Sequence, residues 1–178
     1  GVQTCALPIF GSDAYTAGQF FQGLTTAAWR GPLALPAGRK LTTVVPGQAE
    51  GPIVGGNLTV LTSLVGTPYA LDGTGCILVL EDTGEDAYRI DRMLNQLWQS
   101  GLLSRVAAIA YGDFTDCPND PGDFTTDQVL DYYAHLAGKP AIKGLPVGHT
   151  KDKAFVPYGV KVRLDADGEG ASLTFIDV

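Results

Sequence analysis

The chain has 178 residues, of which 45% are apolar and 17% are charged, and its net charge is −7. This apolar content is too high for a disordered chain, and no uncharged apolar run approaches the roughly 20 residues that a membrane helix needs. An acidic chain also repels phosphate backbones, so we expect neither nucleic acid nor a membrane as a partner. The three cysteines are odd in number and far apart, which favours a reduced cytoplasmic protein over a disulfide framework or a zinc site.

The first nine residues differ in character from the rest of the chain. Their sequence, Gly-Val-Gln-Thr-Cys-Ala-Leu-Pro-Ile, has neither the positive start nor the long apolar core of a signal peptide. It resembles the conceptual translation of a common sequencing adapter, and a native N-terminal coil is the alternative. If residues 1–9 are such an artefact, Cys5 carries no meaning and the natural gene continues upstream of Phe10.

The first predicted elements are a helix and two short strands. Apolar residues after Asp13 follow the spacing of a short amphipathic helix. Residues 30–40 carry two prolines, two glycines and three cations, a composition typical of an exposed connection. The runs 41–45 and 50–54 predict two short strands, joined by a hairpin or a bend at Pro46-Gly47.

The central part of the chain alternates helices with apolar strands. Asn57 is a good N-cap for a short helix, and Cys76–Leu80 is a continuous apolar run typical of a strand buried on both faces. The next helix follows a Thr83-x-x-Asp86 cap and carries an apolar stripe. A second buried strand over 106–110 and a helix capped by Thr125-x-x-Gln128 come next. This alternation predicts an α/β layer.

Beyond Pro140 the chain consists of short extended pieces separated by glycine and proline. These pieces lie near 141–145, 153–156, 159–165 and 171–176. Around Val162, apolar and charged residues alternate with the period of two that a half-exposed strand requires. With a turn over 167–170, the sequence predicts a terminal β-hairpin.

Two residues are candidates for chemistry. Glu81 directly follows the buried run 76–80, and ligand clefts of α/β sheets form at such strand ends. A carboxylate there can orient an imidazolium, although complementing the dipole of the next helix is the simpler explanation. His149 lies in a turn-rich segment, where it is either a general base or a surface histidine. His135 falls on the polar side of a helix and is expected to be solvated.

The sequence offers no convincing nucleophile, metal site or cofactor motif. No serine lies in a Gly-x-Ser-x-Gly elbow between a strand and a helix, and Ser172 comes nearest without meeting the pattern. Cys76 is expected to be buried, and Cys117 lies in a polar loop with no neighbouring histidine. The aspartates at 113, 116, 120 and 123 lack EF-hand spacing, so we expect a solvated loop there and no metal.

Three ordered motifs resemble the LD-carboxypeptidase family, the serine peptidase family that also contains the microcin C self-immunity hydrolases. They are Glu50-Gly-Pro-Ile-Val-Gly-Gly-Asn-Leu-Thr-Val-Leu61, the run from Leu80-Glu-Asp-Thr-Gly-Glu-Asp to Leu94, and Gly144-Leu-Pro-Val-Gly-His149. The resemblance implies an N-terminal α/β domain with the nucleophilic serine and a C-terminal swivelling β/β/α domain. Only the second domain matches this chain. We therefore expect a missing first domain, its remnant and a linker over 10–40, and the C-terminal domain over 41–178.

The resemblance also assigns roles to residues. By motif, Glu81 and His149 are the acid and the base of a Ser-His-Glu triad, and Asn57 lies near the substrate cleft, although its cap role is equally sufficient. Ser12 is rejected as the nucleophile because no strand precedes it and it lies too close to Glu81 in sequence.

The activity that the resemblance implies is release of the terminal D-Ala from murein tetrapeptides during cytoplasmic cell-wall recycling. It needs neither metal nor cofactor, and the full-length enzyme is expected to be a homodimer. This chain alone is expected to be inactive. The alternatives are a peptidyl-nucleotide hydrolase that gives self-immunity and a binding domain of the same fold without catalysis.

Overall fold

The computed structural model describes residues 13–25, 30–118, 124–167 and 170–177. The adapter-like residues 1–9, the rejected Ser12, two of the four aspartates and the centre of the predicted 167–170 turn lie outside these ranges. No helix of the described ranges is long and apolar enough to cross a bilayer.

The described residues form five helices and eight strands. The helices are α1 Ala14–Thr25, α2 Leu58–Ser63, α3 Ala87–Gln99, α4 Leu102–Arg105 and α5 Thr126–Ala137. The strands are β1 Gly31–Pro32, β2 Thr42–Val45, β3 Gln48–Asn57, β4 Ile77–Thr83, β5 Ala108–Thr115, β6 Ala141–Lys143, β7 Lys161–Asp165 and β8 Ser172–Asp177.

Within these ranges the strands form one sheet in the order β1-β8-β7-β3-β4-β5-β6-β2. Strands β3 to β6 are parallel, and the strands on either side of them are antiparallel. The long strand β3 joins the two parts, since residues 48–52 pair with β7 and residues 53–57 pair with β4. The carboxyl ends of β3, β4 and β5 therefore lie side by side, where α/β sheets form their ligand clefts.

The sheet has an apolar core on each face. In β4, Leu78 and Leu80 pack against helices α2, α3 and α5, whereas Ile77 and Val79 face the other way. This second core is shared with side chains of β7 and β8, so the antiparallel part of the sheet covers the parallel strands on that side. Because side chains alternate along a strand, the continuous apolar run 76–80 supplies both cores.

The predicted α/β fold, with buried strands, flanking helices and a terminal β-hairpin, is confirmed. Thr125 and Gln128 form the predicted capping box, and Gly138 ends α5 in the left-handed conformation. The pair β7 and β8 is the predicted hairpin. The helix after Asp13 is also present as α1, but its predicted apolar face is wrong, because Phe21 and Leu24 are exposed and Thr16 and Gln19 are buried.

Two further local predictions are wrong, and one that left two alternatives is decided. Of the hairpin and the bend predicted at Pro46-Gly47, the hairpin is excluded, because β2 pairs with β6 whereas β3 pairs with β4 and β7. Thr83 does not cap α3, because it is paired with β5 as the last residue of β4, and Asp86 occupies the N-cap position. Residues 153–156 form no strand, and their backbone is bonded instead to side chains of α1 and to Pro146.

Candidate active site

Glu81 lies at the carboxyl end of β4, next to Asn57 at the end of β3. Only 4% of the residue is exposed. Its side chain is on the same face as Val79, and the backbone around it is built from glycines. A Cβ on Gly112 would lie 3.1 Å from the Glu81 Cβ, and a Cβ on Gly148 would lie 3.0 Å from its Oε2. These two glycines leave the space in which the carboxylate sits.

His149 contacts this carboxylate directly. Its Nδ1 lies 3.1 Å from Glu81 Oε2, although the two residues are 68 positions apart in sequence. A carboxylate oxygen accepts hydrogen bonds, so the geometry suits an imidazole that donates from Nδ1 to Glu81. The imidazole remains 32% exposed, whereas the Glu81 side chain is 6% exposed. The arrangement places a partly exposed imidazole in front of a buried acid.

Backbone and hydroxyl contacts fix the loop that carries His149. Asp113 N donates to Val147 O at 2.8 Å, and Thr115 Oγ1 donates to His149 O at 3.3 Å. Both donors belong to β5, which adjoins β4 in the sheet. The loop is thus held along the same strand end that positions Glu81.

Arg39 contributes a contact that the sequence did not predict. Its guanidinium pairs with Asp113 and donates to the carbonyl oxygens of Gly144 and Leu145, at 2.8 and 3.2 Å. The 30–40 segment is therefore not merely an exposed connection, because it anchors the start of the His149 loop. The prediction of a solvated aspartate loop is also wrong at Asp113, which belongs to β5 and is ion-paired.

Asp82 lies on the opposite face of β4 from Glu81. It is 2% exposed and accepts hydrogen bonds from Thr59 N and Oγ1, from Asn57 Nδ2 and from Thr83 N, at 2.8 to 3.0 Å. This carboxylate fixes the first turn of α2. The sequence placed it only as a neighbour of Glu81, because nothing in the pattern identified Thr59 as its partner.

Asn57 fulfils its predicted N-cap role. Its Oδ1 accepts a hydrogen bond from Val60 N at 3.0 Å, and its Nδ2 donates to Asp82. An amide nitrogen has two hydrogens, so one donor of Nδ2 is still available for a ligand.

The other candidate groups do not join this site. His135 is exposed on α5, as predicted, with its Nδ1 2.7 Å from Asp131 O. Burial raises the pKa of both Cys76 and Cys117, which are free thiols, so neither is an activated thiolate. In the described part of the chain, no three His, Cys, Asp or Glu residues are grouped as a metal site would require.

Comparison with known proteins identifies the family. The family model described as the LD-carboxypeptidase C-terminal domain matches residues 50–164. The chain belongs to the LD-carboxypeptidase family. This confirms the resemblance seen in the three motifs, two of which contain Glu81 and His149.

Two curated relatives show the range of the family. A probable murein peptide carboxypeptidase of Bacillus subtilis is 44% identical over 127 residues, which cover 70% of this chain and 40% of the relative. The microcin C7 self-immunity protein MccF of Escherichia coli is 33% identical over 138 residues, which cover 72% of this chain and 38% of the relative. The chain thus spans about two fifths of the length of these curated relatives.

A solved structure agrees with the fold. The muramoyltetrapeptide carboxypeptidase from Oxalobacter formigenes has a TM-score of 0.76 and 31% identity, and the match covers 93% of this chain and 56% of that one. Nearly all of this chain therefore has a counterpart in that protein, while almost half of that protein has none here.

Proposed function

We propose that this chain provides the glutamate and histidine of a Ser-His-Glu triad in a serine LD-carboxypeptidase that releases the terminal D-Ala from murein tetrapeptides. The observation that supports this most directly is the 3.1 Å contact between His149 Nδ1 and Glu81 Oε2 at the carboxyl edge of the sheet. The murein peptide substrate is taken from the Bacillus subtilis and Oxalobacter formigenes relatives, which are named as murein peptide and muramoyltetrapeptide carboxypeptidases. We place the reaction in the cytoplasm and expect the full-length enzyme to be a homodimer.

In the proposed reaction Nε2 of His149, the ring nitrogen that does not contact Glu81, accepts the proton of the attacking serine hydroxyl. The serine oxygen forms a bond to the carbonyl carbon of the terminal peptide bond. His149 then gives its proton to the departing amine of D-Ala as the C–N bond breaks, which leaves an acyl-enzyme ester. Water, deprotonated by the same nitrogen, hydrolyses that ester. Glu81 holds the Nδ1–H tautomer throughout and stabilises the imidazolium.

The nucleophile is proposed to come from a domain outside this chain. Ser172 lies opposite Asp165 of β7, which in turn lies opposite Gln48 of β3. Gln48 is nine residues along β3 from Asn57, the strand partner of Glu81, so Ser172 lies about 30 Å from the site. Ser100 and Ser104 precede β5, so they lie near the amino ends of the parallel strands, whereas Glu81 lies near their carboxyl ends. Ser63 ends α2, which packs on the face opposite Glu81.

Asn57 is proposed to contact the substrate through its second amide hydrogen. Its position beside Glu81 in the β3–β4 register supports this role. The residue would then serve both the helix cap and the cleft, because the Asp82 contact uses only one of its two donors.

The test is a fusion in which the part of the Bacillus subtilis relative that precedes its matched region is joined to residues 13–178 of this chain, so that Arg39, which holds the start of the His149 loop, is retained. We expect the fusion to release D-Ala from murein tetrapeptide, and the purified chain alone to release none. In the fusion, His149→Ala and Glu81→Gln should each lower kcat/KM by at least about 100-fold, since a positioned general base contributes about 10²–10⁴. The matched controls are His135→Ala and Glu50→Gln, which alter the same residue types away from the site and should leave kcat/KM unchanged.

Each alternative has its own outcome in this assay. Because MccF is also similar to this chain, a peptidyl nucleotide is offered as a second substrate, and its preferred hydrolysis would favour a self-immunity function. A folded fusion that cleaves neither substrate, while the Bacillus subtilis relative is active in parallel, would contradict the proposal and favour a non-catalytic binding domain. Release of D-Ala by the purified chain unaided would contradict the proposed source of the serine.

A further inference from the structure

Helix α1 packs against the segment that follows His149, and two polar side chains of the helix are buried there. Thr16 and Gln19 are 6% and 7% exposed. Buried polar groups destabilise a fold unless they are hydrogen-bonded, so the partners of these two side chains show what the helix face does. Both side chains form hydrogen bonds with the backbone of residues 151–155.

The Thr16 hydroxyl joins α1 to the backbone of this segment twice. It donates to Lys151 O at 3.1 Å and accepts from Lys153 N at 2.9 Å. A single side-chain oxygen thereby satisfies a carbonyl and an amide of a segment that lies outside the described strands. Lys151 is two residues after His149, so this contact fixes the backbone immediately beyond the imidazole.

Two further contacts extend the interface along α1. Gln19 Oε1 accepts from Phe155 N at 3.4 Å, one turn beyond Thr16. At Gly23 the Phe155 ring lies against the helix backbone so closely that an added Cβ would be 2.5 Å from it. Residues 16, 19 and 23 follow the spacing of one helix face, so the whole face is complementary to residues 151–155.

We propose that α1 is a positioning element for His149, with Thr16 as its main positioning residue. This inference rests on the proposed function, because it gives the helix a role in the same reaction. The imidazole is 32% exposed, and β5 and Arg39 hold one side of its loop. Helix α1 holds the other end of the loop, so that Nδ1 stays on Glu81 and Nε2 stays directed outward.

The test reads the imidazole itself in the intact chain by NMR. The chain has two histidines, so ¹⁵N-histidine labelling gives two ring systems, and the His149→Ala spectrum assigns them. Two-bond ¹H–¹⁵N correlations report which ring nitrogen carries the proton in each neutral imidazole. We expect the Nδ1–H tautomer for His149 in the unaltered chain.

Two matched pairs of variants separate positioning from general stability. Thr16→Val removes the hydroxyl while keeping the shape, and Thr16→Ser keeps the hydroxyl. Gly23→Ala displaces Phe155, and Gly18→Ala adds the same methyl to the same helix where nothing lies within 4 Å. We expect Thr16→Val and Gly23→Ala to shift His149 toward a mixture of tautomers, and Thr16→Ser and Gly18→Ala to retain the Nδ1–H form.

The His135 ring is the internal control and should be unchanged in all four variants. The inference is overturned if Thr16→Val leaves the His149 signals unaltered, or if Thr16→Ser alters them as Thr16→Val does. It is equally overturned if the two glycine variants behave alike, or if both histidines change together. Because the experiment reads a ring and not turnover, it decides the role of α1 even if the fusion proves inactive.

Discussion

The position of Glu81 depends on Gly148, and Gly148→Ala tests this dependence. Gly148 has φ +130°, and an added Cβ would lie 3.0 Å from Glu81 Oε2 and 3.1 Å from the backbone oxygen of Asp113. Backbone strain at such a φ costs about 1–3 kcal/mol, and overpacking a closed site costs about 1–3 kcal/mol more. We therefore expect the free energy of unfolding to fall by about 2–6 kcal/mol.

Gly56→Ala is the matched control for the strain alone. Gly56 has φ +145°, and a Cβ there would have nothing within 4 Å. Urea denaturation of the chain gives both changes, read from the midpoint at constant slope. Gly148→Ala should be the more destabilising variant by at least about 1 kcal/mol, because only its methyl meets the buried carboxylate. Equal losses in the two variants would refute the argument that Gly148 leaves the space for Glu81.

Three further predictions concern groups around the site. Asp82→Ala should lower the free energy of unfolding by about 2–4 kcal/mol in urea denaturation, because it removes the buried acceptor of four hydrogen bonds. Tyr111→Phe should lower it by about 1–2 kcal/mol, because the buried hydroxyl donates to Leu130 O. Burial lowers the pKa of Lys143, but hydrogen bonds to Asp131 and a second carboxylate outweigh it and raise the pKa above 10.5. The stabilisation by Lys143 is then complete below the unfolded-state pKa and is lost as pH rises through the folded-state pKa. In urea denaturation, Lys143→Met should therefore lower the free energy of unfolding less at pH 11.5 than at pH 8.

Those parts of the fold that depend on local pattern were predictable from sequence. The capping box at Thr125, the cap at Asn57 and the buried run before Glu81 each depend on a few neighbouring residues. The pairing of β2 was not predictable, because its partner β6 lies about 100 residues away and the local turn at Pro46-Gly47 suggested a nearer one. A bend and a hairpin turn have the same local composition, and only the distant strand decides between them.

The periodicity of the sequence alone could not show which of two adjacent acids belongs to the candidate site, so the family motif was needed as well. Glu81 and Asp82 are adjacent acids at the end of one strand, and the period of two sends them to opposite faces. Alternation alone does not say which face carries chemistry, because that depends on where His149 passes. The path of its loop is set by β5, by Arg39 and by α1, none of which is near His149 in sequence. Asp82 is more deeply buried than Glu81 and has more hydrogen bonds, yet it stabilises a helix, whereas Glu81 meets an exposed imidazole. Burial of an acid at a strand end is therefore insufficient evidence of catalysis, and the chemistry of its partner, an imidazole for Glu81 and the start of a helix for Asp82, is what distinguishes the two carboxylates.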